Sequence, residues 1–235
     1  MHAAKNQAVR PAAITVPAGT KLRIYVVGDS ISIHYGPYLG KYLEGRMGYA
    51  RKEGEAEARL NLDAPIGGNG GDSAQVLAFL RAMAKSGGID ADLLLVNCGL
   101  HDIKRHPETG ALQVSPEAYE GNLRAIVAVA AEMRLTLIWM CTTPCDEKVH
   151  NRPGMKFHRF AADCADYNAV ADRVMRAAGV PSIDLHAFTR NLAPDLYCDH
   201  VHFHEHIRAK QAAFIAGWLE GWQKSKRAPA AGKIS

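Results

Sequence analysis

The sequence predicts an α/β protein: a five-stranded parallel sheet covered by helices on both faces, a three-layer α/β/α sandwich. Three observations lead there. Short apolar runs alternate with helical patterns along the chain. The strongest runs are almost continuously apolar, as strands buried on both faces are. Five such runs suggest the flavodoxin-like strand order 2-1-3-4-5, in which ligands bind beyond the carboxyl ends of the strands, at the switch point beside the first.

The elements follow in order. "LRIYVV" (22–27) is apolar and β-branched and reads as the first strand. "ARLNLDAPI" (58–66) is a weaker second strand. "DLLLVNCG" (92–99) and "LTLIWMC" (135–141) are strong third and fourth strands, and "VPSIDL" (180–185) is the fifth. Helical patterns lie between them. Ser115-Pro116-Glu117 is an N-cap, a proline at the first helical position and an acid in the first turn, opening a helix that runs to about Arg134. Phe160, Cys164, Tyr167, Ala171 and Val174 form one helical stripe that Gly179 and Pro181 stop. A last helix covers about 206–224. Residues 1–20, broken by Pro11, Pro17 and Gly19, read as a flexible arm, residues 21–225 as one domain, and residues 226–235 as a flexible tail.

Bulk properties narrow the function. The 235 residues are 48% hydrophobic and 22% charged, the balance of a soluble globular domain with a proper core. The net charge of +4 is mild and no Lys/Arg block tracks a phosphate backbone, so nucleic acid is not an expected partner. No apolar run is long enough to span a bilayer, and the N-terminal stretch has no apolar core of a secretory signal. Five cysteines, an odd number without CxxC spacing, argue against a disulfide framework or a zinc ribbon. Reduced thiols and a cytoplasmic location are the expectation.

The chemistry gathers at strand ends. Strand 1 runs straight into Gly28-Asp29-Ser30, which puts a hydroxyl at the switch point. Acyl transfer by serine needs a base, a group that orients the base, and donors for the oxyanion. Asp199 and His202, three apart just before the last helix, supply the first two: the carboxylate can reach the imidazole of its own turn, and His202 can take the Ser30 proton. A bare Asp-x-x-His is commonly a loop of solvated histidines. Its position at the returning edge of the sheet favours the catalytic reading. The glycines of "GGNGGDS" (67–73) and Gly99 of "NCGLHD" (97–102) let backbone N–H groups approach a ligand, as they would in an ordinary turn.

Taken together, these blocks resemble the SGNH, or GDSL, hydrolases, in block order and spacing over about residues 22–220. Gly28-Asp29-Ser30 matches the first block, Gly71-Asp72-Ser73 the second, Gly99-Leu100-His101-Asp102 the third and Asp199-His200-Val201-His202 the last. The resemblance implies a three-layer α/β sandwich and a serine esterase with Ser30, Asp199 and His202 as catalytic residues. It implies an oxyanion hole from the N–H groups of Ser30 and Gly71 and the side chain of His101, with Asp29 and Asp102 as supporting residues. Ile31 replaces the family's leucine. His101 replaces its asparagine, and a neutral imidazole retains one N–H donor. The α/β-hydrolase elbow G-x-S-x-G is not met, because Ser32 stands where the second glycine belongs.

No cofactor and no metal are expected. His200, His202, His204 and His206 alternate as metal ligands might, but His202 is claimed by Ser30 and no second ligand cluster is evident. Lys104, Arg105, His106, Lys148, His150, Arg152, Lys156, His158 and Arg159 fall in loops expected to rim the sheet top, where they could meet a polar or anionic substrate or merely be solvated. The expected substrate is a small-molecule ester with a short acyl group, foremost acetyl, on a carbohydrate or other small alcohol. Two alternatives stand beside the esterase: an acyltransferase on the same scaffold, and a catalytically impaired carbohydrate-binding relative.

Overall fold

Strand β1 (Arg23–Val27) carries Ile24, Val26 and Val27 into the core, and the chain then turns at Gly28 into helix α1 (Ser30–Leu43). The computed structural model describes residues 16–17, 19–192 and 194–226. After α1 come β2 (Gly48–Arg51), α2 (Glu55–Ala58), α3 (Ser73–Lys85), β3 (Leu93–Val96), α4 (Pro116–Glu132) and β4 (Thr136–Met140). The chain continues through α5 (Glu147–His150), α6 (Ala161–Ala178), β5 (Ser182–Ile183), α7 (Leu185–Arg190) and α8 (Glu205–Ser225). Most of the arm and tail expected over 1–20 and 226–235 lies outside the described residues. Within the arm, Val16 is buried and its N–H donates to Lys226 O at 3.0 Å.

The sheet has the order β2-β1-β3-β4-β5 and every pair is parallel. The register sets Val26 opposite Leu95, and Leu95 opposite Ile138. All four residues of β3 are buried, as a central strand covered on both faces requires. Helix α1 packs on α8, and α3, α4 and α6 pack in a row, giving two helical layers around the sheet. The Ser115 cap with Pro116 at the first helical position opens α4, and Gly179 in the left-handed region (φ 68°) closes α6. Among the described residues no helix is long and apolar enough to cross a membrane.

One expected strand is misplaced. Residues 58–66 are not β2; they form the end of α2 and an irregular loop, with Leu60 84% exposed. The amide of Asn69 donates to the carbonyls of Leu62 and Ala64, holding that loop open rather than extended against the sheet. The true β2 is the edge strand "GYAR". It pairs with β1 alone and needs no apolar run. Its Arg51 reaches over α1, donating Nη1–H to Ser32 O at 2.7 Å.

Strands β3 and β4 end beneath a tight turn. Thr142 Oγ1 donates to Cys98 O at 2.9 Å, and Gly99 follows with φ 150°. A Cβ on Gly99 would lie 2.1 Å from Thr142 Oγ1. Gly99→Ala is therefore expected to destabilise the fold by about 1–3 kcal/mol or more, from overpacking plus an unfavourable backbone angle. Thermal denaturation checks this, and a wild-type midpoint would contradict it.

Candidate active site

Ser30 owes its place to its neighbours. Asp29 caps α1, accepting the Ile31 N–H at 3.0 Å, so Ser30 is the first helical residue and its own N–H has no partner within the helix. Ser30 is buried at the carboxyl end of β1, where the sheet order reverses. From the far end of the chain His202 Nε2 meets Ser30 Oγ at 2.8 Å. His202 Nδ1 lies 2.8 Å from Asp199 Oδ2, while Asp199 Oδ1 accepts the N–H groups of Val201 (2.8 Å) and His202 (2.7 Å). Asp199 thus folds its own turn and fixes the ring in one step. With Nδ1–H directed at the carboxylate, Nε2 presents a lone pair to the hydroxyl. Burial pushes the Asp199 carboxyl up, but the hydrogen bonds from His202 and the two backbone N–H groups hold it well below the usual carboxylate range.

The remaining histidines separate rather than converge. His200 Nε2 lies 3.1 Å from Asp63 Oδ2, and its Nδ1 lies 2.8 Å from Nδ1 of buried His150. His204 faces Asp195 at 3.6 Å and stacks beside His206. Asp199, His200 and His202 bring potential ligand atoms within 4.8 Å of one another, each already engaged in hydrogen bonds.

The expected oxyanion donors sit on two loops that pack at this point. Gly70 N–H donates to Gly28 O at 2.8 Å, docking the 67–73 loop on the Ser30 turn. Gly71 has φ 73°, and its N–H donates to Asn69 Oδ1 at 3.0 Å. His101 is buried, and burial, reinforced by Lys104 and Arg159, pushes it well below the usual histidine range, so it is a neutral imidazole with one N–H. Asp102 joins the two loops: both its oxygens accept the Ser73 N–H, at 2.9 and 3.1 Å, at the start of α3. Burial raises the Asp102 carboxyl to about 7 against those bonds. Asp29, also buried, is raised by burial.

Sequence reasoning missed three neighbours. His34, one helical turn after Ser30, lies edge-on to the His202 ring with centroids 4.9 Å apart. Burial, with Arg208 and His202 adding, pushes it down to about 3, so it is neutral. Its i+4 spacing from Ser30 was the available signal. Asp63, from the misplaced strand, is the partner of His200. Arg159, expected on a basic rim, is instead buried, and it donates Nε–H to Leu100 O at 2.7 Å. The rest of that rim is mixed: Arg105 makes a two-pronged ion pair with Asp163, at 2.6 and 2.7 Å, and Lys104 donates to Asp63 O.

Known proteins share this architecture. Residues 26–207 match the GDSL-like lipase/acylhydrolase family. A lipase/acylhydrolase from Enterococcus faecalis superposes with a TM-score of 0.62 at 16% identity, over 86% of this chain and 96% of that one. A GDSL-like lipase from Bacteroides thetaiotaomicron gives 0.61 at 14% identity, over 92% and 94% of the two chains. A mutant of an acetyl-xylooligosaccharide esterase from Geobacillus gives 0.59 at 15% identity, over 92% and 100%. No curated protein matches the chain. These structural likenesses show the fold, and the family match spans most of the sequence from the Ser30 turn to the start of α8: the chain belongs to the GDSL-like lipase/acylhydrolase family, the SGNH hydrolases, and is a carboxylic ester hydrolase.

Proposed function

We propose that this enzyme hydrolyses short-chain acyl esters, foremost acetyl esters, of carbohydrates or other small alcohols through an acyl-enzyme on Ser30. The observation that carries the reading is the continuous relay from Ser30 Oγ through His202 to Asp199, with both links at 2.8 Å. Ser30 Oγ attacks the ester carbonyl carbon while His202 Nε2 takes the hydroxyl proton. The tetrahedral intermediate expels the alkoxide, which leaves as an alcohol with the proton His202 returns. Water then attacks the acyl-enzyme, His202 takes its proton, and the carboxylic acid departs as Ser30 regains its hydrogen. Asp199 stays ionised throughout and stabilises the transient imidazolium.

Three donors face the developing oxyanion in this reading: the Ser30 and Gly71 N–H groups and the His101 ring. The Ser30 N–H is free of the helix and carries its partial positive charge. The Gly71 N–H exchanges Asn69 Oδ1 for the oxyanion, so it contributes less than a donor without a ground-state partner. The neutral His101 ring takes the place of the family's asparagine amide. The preference for a short acyl group rests on the polar surroundings of Ser30, among the imidazoles of His34 and His202. The carbohydrate alcohol is supported by the likeness to the Geobacillus esterase.

Ser30→Ala is expected to lower turnover of p-nitrophenyl acetate by several orders of magnitude with an unchanged circular dichroism spectrum. A folded, fully active variant would sink the assignment, and product partition with added acceptor alcohols separates hydrolysis from acyl transfer. The reaction needs a neutral His202, because an imidazolium cannot accept a proton from Ser30. Asp199, held well below the usual carboxylate range, stays ionised beside it. His101→Ala is expected to reduce kcat about 10²–10³-fold, roughly 3–4 kcal/mol, with little change in KM, and His101→Asn to retain much of the rate. An alanine variant with wild-type turnover would remove His101 from the oxyanion hole.

A further inference from the structure

Arg159 is an unusual place to find a charge. It is 2% exposed, and among the described residues no carboxylate forms an ion pair with it. A buried guanidinium is costly unless its hydrogen bonds return something specific. Among the described residues its guanidinium makes one hydrogen bond, from Nε to the turn that carries His101, while Nη1 is buried without a partner. The carbonyls of that turn each have a partner: Cys98 O accepts from Thr142 Oγ1 and Tyr119 Oη, Gly99 O from Ile103 N, His101 O from Lys104 N, and Asp102 O from Val114 N. Leu100 O accepts from Arg159 Nε, at 2.7 Å and across 59 residues. The four others are held by Thr142, just after β4, or by Ile103, Lys104, Val114 and Tyr119 of the chain that follows. Leu100 alone is held by a cation from the distant 151–159 loop.

That loop is itself secured: His158 and Arg105 exchange backbone N–H···O bonds, both at 2.9 Å. Within it the Arg159 N–H donates to Asn151 Oδ1 at 2.9 Å, and the guanidinium lies over the Phe157 ring at 4.8 Å. The anchor is therefore stiff, and a charge-assisted bond from a stiff anchor fixes the peptide next to His101 more tightly than a neutral one.

We propose that Arg159 is the positioning residue of the oxyanion site: by holding Leu100 O it sets the 99–102 turn, and with it the direction of the His101 N–H. The inference rests on the reading of His101 as an oxyanion donor. Electrostatics agree, since Arg159 adds to the burial and the Lys104 charge that keep the His101 ring neutral.

The test is a double-mutant cycle on p-nitrophenyl acetate. Arg159→Met keeps an unbranched stem against Phe157 and removes the donor. It is expected to lower kcat about tenfold or more while KM changes less than about threefold, because misdirection of a donor is felt in the transition state. In the His101→Ala background the same substitution is expected to change kcat less than about twofold, since no donor remains to be positioned. A wild-type kcat for Arg159→Met, or a loss that persists undiminished without His101, overturns the proposal. If Arg159→Met does not fold, Arg159→Lys enters the same cycle: a smaller loss that vanishes with His101→Ala supports the proposal, and one that remains overturns it. His101→Ala alone with full turnover would instead defeat the underlying reading of His101, so the two failures are told apart.

Discussion

A hydroxyl at residue 30 and an imidazole at residue 202 meet at 2.8 Å, and most of the architecture serves that meeting. The two residues come from opposite ends of the chain and from no pair of adjacent strands. What brings them together is the packing of α8 on α1. Ile31, Tyr35, Leu39 and Leu43 of α1 share one core with Ile207, Ile215 and Leu219 of α8. Ser30 begins α1 and His202 lies three residues before α8, so the distance between the helix starts sets the Ser30–His202 distance. Polar latches lie along the same packing, Tyr38 of α1 with Glu205 of α8, and Arg46, in the turn after α1, with Glu220 of α8. Being exposed, these latches add little energy beside the apolar contact. The constraint is mechanical: α1 and α8 cannot slide without breaking the relay.

Much of this was legible from residues alone, for a physical reason. Central parallel strands are buried on both faces, so β1, β3 and β4 had to be apolar runs, and the order β2-β1-β3-β4-β5 followed from their number and alternation. The Asp199–His202 pair was legible because it is local: a carboxylate three residues before an imidazole folds its own turn. What failed was the edge. An edge strand buries little, so "GYAR" carries no hydrophobic signal, whereas "ARLNLDAPI" carries apolar residues that the loop leaves in solvent, Leu60 above all. Arg159 was illegible for a similar reason. Its loop is basic and polar like any rim, and its burial beneath the His101 turn is a tertiary fact that no local spacing encodes. The opposite error was narrower at Gly71: its position in the loop was readable, but not the bond from its N–H to Asn69, because a side-chain acceptor two residues back leaves no periodic trace.

The site is crowded with imidazoles, and their neutrality is a design constraint in its own right. His34, His101 and His150 are each pushed below the ordinary histidine range, in every case first by burial and then by neighbouring cations such as Arg208, Lys104 and Arg159. A neutral imidazole can donate at one nitrogen and accept at the other, whereas an imidazolium only donates. A cationic ring beside His202 would also oppose the charge that His202 takes up in the proposed reaction. Burying the surrounding rings resolves both problems at once. Arg159 then has a second consequence: its fixed charge is placed where it disfavours protonation of His101 and His150. Positive charge is thereby disfavoured on His34, His101 and His150.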